Sequence, residues 1–198
     1  MKTVTGLFDT YSEATTAVNN LKAAGISDND ISIVSNNGDG HYKEESNAAE
    51  GAGTGAGVGA VVGGAGGLLT GLGMLAIPGV GPVVAAGWLA ALAVGAVGGA
   101  VVGGATGGLI GALTNSGVPE ADAHVYAEGV RRGGTLVTAK VDESRYTEAE
   151  SILRGANWVD PATRRSAYEQ QGWTGFDPAL DPYDADAIAQ ERNRYPRV

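Results

Sequence analysis

The chain contains no cysteine, which excludes a disulfide framework, a thiolate nucleophile and a cysteine metal site. Histidine is nearly as scarce. His41 and His124 stand far apart, too isolated to hold a metal without other donors, so neither a metal nor a cofactor is expected. With 13 Lys and Arg against 22 Asp and Glu, the net charge is −9. That balance argues against nucleic acid and against electrostatic attachment to anionic lipid. No charged residue occurs between Glu50 and Glu120, so charge is confined to the flanks. No Gly-x-Ser-x-Gly elbow, phosphate loop or zinc-protease signature is present. The chain is therefore read as a non-enzyme with no catalytic residues. The stretch Met1–Phe8 has no long apolar core of the signal-peptide kind, and intracellular retention is the simplest expectation.

Glycine is what fills the charge-free centre. The chain has 33 glycines, more than twice the usual share. One run places Gly51, Gly55, Gly59, Gly63, Gly67 and Gly71 four residues apart. A second places Gly87, Gly95, Gly99, Gly103, Gly107 and Gly111 on the same period, with Ala91 at the vacant step. Residues four apart share a helix face, and a bare stripe lets another helix approach closely. Glycine costs about 1 kcal/mol per residue in a helix, so close packing has to offset that cost. The run Gly59–Ala65 recurs identically as Gly99–Ala105. Between the runs, Ile77-Pro78-Gly79-Val80-Gly81-Pro82 reads as a turn. The expectation is two antiparallel helices of about 25–30 residues, long enough to cross a bilayer core.

The flanks read as two βαβ halves. Val4-Thr5-Gly6-Leu7-Phe8 precedes a capping box of Thr10 and Glu13, a helix presenting Ala14, Ala17, Val18 and Leu21, and a stop at Gly25. Ile31-Ser32-Ile33-Val34 is the second strand. Beyond the insertion, a helix runs from Pro119 to about Arg132, followed by the strand Thr135–Val141. A helix with Ala149, Ile152 and Leu153 inward and a short extended Trp158-Val159 complete the half. The predicted fold is α+β, a ferredoxin-like split βαβ sheet with both repeat helices on one face, interrupted by the glycine-rich helical hairpin. The boundaries are 1–46, 47–117, 118–162 and a polar tail at 163–198. The sheet pattern is complete without the tail, so truncation after about Ser166 should leave it folded. Trp173, Phe176 and Tyr183 are candidate anchors of the tail on its own domain or a neighbour.

Other apparent motifs carry little. Gly71-Leu72-Gly73-Met74-Leu75-Ala76 resembles a dinucleotide fingerprint, but it follows no strand pattern and glycine is dense enough to produce it by chance. Arg131-Arg132-Gly133-Gly134 fits cations at a helix C-terminus better than a phosphate contact.

Gly6-Leu7-Phe8-Asp9, Ala76-Ile77-Pro78-Gly79-Val80-Gly81-Pro82-Val83, Gly117-Val118-Pro119-Glu120 and Gly129-Val130-Arg131-Arg132-Gly133-Gly134 together resemble the bacterial general stress protein 17M-like family. The resemblance covers about residues 1–160. It implies a bacterial stress-response association, no established enzymatic activity and no transferable functional residues. The resulting expectation is a stress protein that forms homo-oligomers through the glycine stripe, with a lipid bilayer as a second partner. It places the chain at the bacterial cytoplasmic membrane with its sheet domain in the cytoplasm. The alternatives are a soluble cytoplasmic assembly or shell, and a small-molecule sensor or enzyme built on the sheet. No small-molecule ligand is identified.

Overall fold

The computed structural model describes residues 1–38, 73–77, 79–90, 92 and 108–195. Strand β1 (Lys2–Phe8) leads into helix α1 (Tyr11–Ala23). The capping box forms: the Thr10 hydroxyl accepts from the Glu13 backbone N–H and donates to its carboxylate at 2.7 Å. Gly25 ends the helix at φ +85°, as its position predicts. Then come β2 (Ile31–Asn36), β3 (Gly73–Ile77) and β4 (Gly81–Ala86). Helices α2 (Leu109–Asn115) and α3 (Glu120–Arg131) precede β5 (Thr135–Val141). The chain continues through α4 (Tyr146–Gly155), α5 (Pro161–Glu169) and α6 (Ala185–Arg194).

The five strands form one antiparallel sheet in the order β1-β5-β2-β4-β3. Despite their separation in sequence, Val4 pairs with Ala139 and Thr5 with Thr138. Alternation along the strands sends Val4, Phe8, Ile31, Ile33, Val137 and Ala139 to one face, where Ala14, Val18 and Leu21 of α1 meet Ala149 and Leu153 of α4. The two repeat helices thus share a face, as expected. Leu7, Val34, Val83, Ala85 and Leu136 point to the opposite face and pack with Leu109 and Leu113 of α2 and Tyr126, Ala127 and Val130 of α3. Beyond β1, the Val159 N–H donates to the Leu7 carbonyl at 2.7 Å in an isolated antiparallel bridge.

The central hairpin differs from its expected form. The turn is where the sequence places it, closed by the Val80 N–H on the Ile77 carbonyl at 3.0 Å. It joins strands rather than helices, and residues 73–77 and 81–86 belong to the sheet. The physical reason is the edge of β2, whose backbone groups β4 satisfies between Asn36↔Val83 and Ile33↔Ala86. Val83 and Val84 also suit a strand. The fingerprint-like Gly73–Ala76 lies in β3 and opens no helix.

Two further glycines depart from the stripe reading. Gly87 has φ +87°, and a Cβ there would sit 2.3 Å from the Ile31 carbonyl oxygen. It is therefore a left-handed turn residue beneath β2, not a member of a helix face. The Ser32 hydroxyl beside it accepts from the Leu89 N–H at 2.8 Å. Gly108, at φ +82°, interrupts any continuous helix into Gly111, which lies in α2. Gly51, Gly55, Gly59, Gly63, Gly67, Gly71, Gly95, Gly99, Gly103 and Gly107 fall outside the described residues. Among the described residues no helix is long and apolar enough to cross a membrane.

Gly87→Ala is expected to destabilise the fold by roughly 2–3 kcal/mol, from the left-handed conformation and the backbone clash together. Urea unfolding followed by circular dichroism checks this. An unchanged midpoint would show that the turn rearranges at little cost.

Candidate functional site

At the end of β1 the chain turns outward through Asp9 into α1, and the late segment 157–167 crosses in front of it. Between them lies a cleft of about 520 Å³ lined by Asp9, Glu13, Trp158, Asp160, Arg164 and Tyr195, among others. Its floor is a two-pronged ion pair, with the Arg164 guanidinium donating to the two Asp9 oxygens at 2.8 and 2.9 Å. Burial works against the charge on Arg164, but the hydrogen bond and charge of Asp9 outweigh it and raise its pKa, so the guanidinium stays protonated. The Tyr195 ring lies 3.8 Å from that guanidinium. Burial pushes the Tyr195 phenol upward, and the charge of Glu191 adds to the shift. On the rim, Asp160 caps α5 by accepting from the Thr163 N–H at 2.8 Å. Hydrogen bonding to Thr163 holds its carboxyl below the usual range. Asn157, with φ 64°, redirects the chain so that Trp158 and Val159 form a wall.

Behind this cleft, α3 ends in a buried ionic network. Glu128 is fully buried and accepts from both Arg131 and Arg132. Arg132 reaches the tail, donating to Gln171 at 2.7 Å and Glu191 at 3.0 Å while stacking 4.1 Å from the Tyr168 ring centre. Asn36 donates to the Val130 and Arg131 carbonyls, satisfying orphan acceptors at the helix end. The Arg131-Arg132-Gly133-Gly134 motif is thus committed internally, as its helix-terminus reading implied. Gly133 accommodates the tail: a Cβ there would lie 2.4 Å from Ile188 Cγ2.

Two of the three candidate anchors, Phe176 and Tyr183, lie against their own domain, and Trp173 packs within the tail. Trp173 meets Tyr168 edge-on at 5.7 Å. Phe176 packs against the α2–α3 core, and its N–H donates to His124 Nδ1 at 3.1 Å. Tyr183 lies 5.6 Å from the Arg131 guanidinium and 5.5 Å from that of Arg132. Pro178 and Pro182 cover Gly79 and Gly81 of the β3–β4 turn, where a Cβ would come within 2.5 and 2.6 Å of them. Among the described residues no His, Asp and Glu group is suited to hold a metal.

Residues 3–78 match the family model of the heat induced stress protein YflT domain. The match covers less than half of the chain. The match agrees with the resemblance to a bacterial general stress protein family and supports a stress-response role. Comparisons with curated proteins and with solved structures gave no match. The YflT-type match takes in β1 to β3, hence Asp9 and Glu13. The remaining cleft residues, 157–195, lie beyond it. Sequence reasoning missed the cleft because Asp9 and Arg164 are 155 residues apart. The Thr10–Glu13 capping box, which fixes the turn out of β1, was the one local signal near it.

Proposed function

We propose that the protein is a non-enzymatic general stress-response protein that self-associates through its glycine runs, with the cytoplasmic membrane as the setting of that assembly. The observation that carries this reading is where the runs emerge. Gly38 follows β2, Gly73 opens β3, Leu92 follows β4 closely, and Gly108 lies with its Cβ position 3.9 Å from Ile77 at the end of β3. All of these points are on the β2–β4–β3 half of the sheet. The sequence between Gly38 and Gly73 carries one glycine run and that between Leu92 and Gly108 most of the other, so both are bounded by residues on that half of the sheet. The four-residue glycine period gives them a surface suited to close helix contact.

The remainder of the sheet supports a ferredoxin-like split βαβ reading. Val159, β1, β5 and β2 are neighbours in that order, with α1 and α4 on one face. To this unit β4 and β3 are added at the β2 edge. The cleft carboxylates support a non-catalytic role, since Asp9 is held by Arg164 and Glu13 by the capping box.

Replacing Gly63 and Gly103 by leucine is expected to abolish assembly while the sheet domain stays folded. Leucine raises helix propensity, so a loss of assembly would have to come from steric exclusion. The pair Val62→Leu and Val102→Leu, off the stripe, is the control. Mass by light scattering, in detergent where needed, reads the outcome, and equal masses for wild type and the glycine pair would reject the stripe as the contact. Detergent-free fractionation then separates membrane assembly, which pellets with membranes, from a soluble particle.

A further inference from the structure

The geometry points to the outer edge of β3 as a pairing surface for a second copy of this chain, the two β3 strands running antiparallel about a two-fold axis at residue 75. This contact goes beyond self-association through the glycine runs and uses different residues.

β3 is the last strand of the sheet, and among the described residues no strand pairs with its outer side. Which of its backbone groups face outward follows from β4. The Pro82 carbonyl accepts from the Asn37 N–H at 2.9 Å, so Pro82 turns its backbone toward β2. Its opposite neighbour in β3 is Ala76. In an antiparallel ladder this makes Ala76 and Pro82 a pair without hydrogen bonds between them, and Ala76 directs its own N–H and C=O away from β4. Met74, two residues earlier, does the same. The edge therefore offers the N–H and C=O of Met74 and of Ala76, and β3 contains no proline that would remove a donor. Outward groups of this kind are satisfied by an added antiparallel strand.

A second copy supplies that strand by symmetry. With residue 75 on the axis, Met74 stands opposite the partner's Ala76 and Ala76 opposite the partner's Met74. Each pair exchanges two N–H···O=C bonds. The side chains suit the same register. Met74 is 44% exposed and shares a face with the exposed Ala76, so pairing sets the long side chain beside the partner's short one on both sides of the axis. Charge points the same way. At a net charge of −9 two copies repel over most of their surfaces. β3, however, lies inside the stretch between Glu50 and Glu120 that holds no charged residue. β1, the opposite edge, begins with Lys2 and is bridged by Val159, features that discourage strand addition there.

The chain has no native cysteine, so introduced ones report the register. Full-length Met74→Cys and Ala76→Cys proteins are oxidised separately and as an equal mixture, and covalent dimer is read on a non-reducing gel. In the paired register position 74 of one copy and 76 of the other lie about 5.5 Å apart at Cα, within disulfide reach. Like positions lie about 7–8 Å apart, beyond it. The mixture is therefore expected to give covalent dimer, and each protein alone only traces. Both positions are exposed, and thermal unfolding of each variant confirms folding. The same mixture carrying Gly63→Leu and Gly103→Leu in both chains should cross-link to the same extent, whether or not the glycine runs assemble. No dimer in the mixture, or as much dimer from either protein alone, would overturn the proposal. Loss of the cross-link with the glycine substitutions would overturn it as well, assigning the contact to the glycine runs.

Discussion

A chain ending at Ser166 is expected to lose roughly 5 kcal/mol of stability, a sum drawn from burial and from a broken ionic network. The missing segment includes Tyr168 and Ile188, which are 0% and 1% exposed. Full burial of such side chains is worth about 1.5–3 kcal/mol each. Truncation also removes Glu191 and Gln171 from Arg132 and strips Ile188 from the backbone at Gly133 and Gly38. Such a loss rivals the about 5–15 kcal/mol that holds an ordinary domain together. This replaces the expectation from sequence that the sheet domain is complete without its tail. Urea unfolding of the truncated and full-length chains reads the difference, and coincident midpoints would show that the tail rests on the domain without holding it.

Glu128→Gln is expected to cost about 3–5 kcal/mol, because breaking a buried ion pair leaves charge without compensation. Glu128 is 0% exposed, and Arg131 and Arg132 both donate to its Oε1. Glutamine preserves the shape and one acceptor but removes the negative charge facing two guanidiniums. Arg132 keeps Glu191 as a partner, so Arg131 is left the more exposed to the loss. The double variant Glu128→Leu, Arg131→Met removes both members of one pair and should recover more than half of the deficit. Denaturant midpoints for the single and double variants measure this. A Glu128→Gln protein as stable as wild type would mean that the network contributes specificity without net stability.

The contrast between these sites and the well-anticipated elements follows from the range of the interactions. Thr10 and Glu13 are three residues apart, and their capping box forms as read because every atom it needs belongs to one helical turn. Gly25 and Gly133 stop their helices for an equally local reason, their positive φ. Thr135–Val141 formed β5 as read, its Val and Thr content suiting a strand, although both of its faces are covered and it is not the half-buried strand that alternation describes. The apolar, small-residue stretch around Met74–Ile77 and Val83–Ala86 satisfies a helical stripe and a short buried strand equally well. Nothing within it distinguishes the two.

What the sequence determined by itself is therefore the set of local elements: two echoing βαβ segments, their caps, the turn at 77–82, and a charge-free glycine-rich centre. Tertiary structure decided what those elements are used for. The available edge of β2 drew residues 81–86, and with them 73–77, into the sheet, because its backbone groups had to be paired once the core excluded water. The approach of β2 made Gly87 a left-handed turn rather than a helix face. Long-range ion pairs, Arg164 with Asp9 and Arg132 with Glu191, turned the polar tail into a structural strap and opened the cleft beside it. Their partners are fixed by where the sheet places the ends of β1 and α3, and a charge pair across a folded core leaves no periodic trace along the chain.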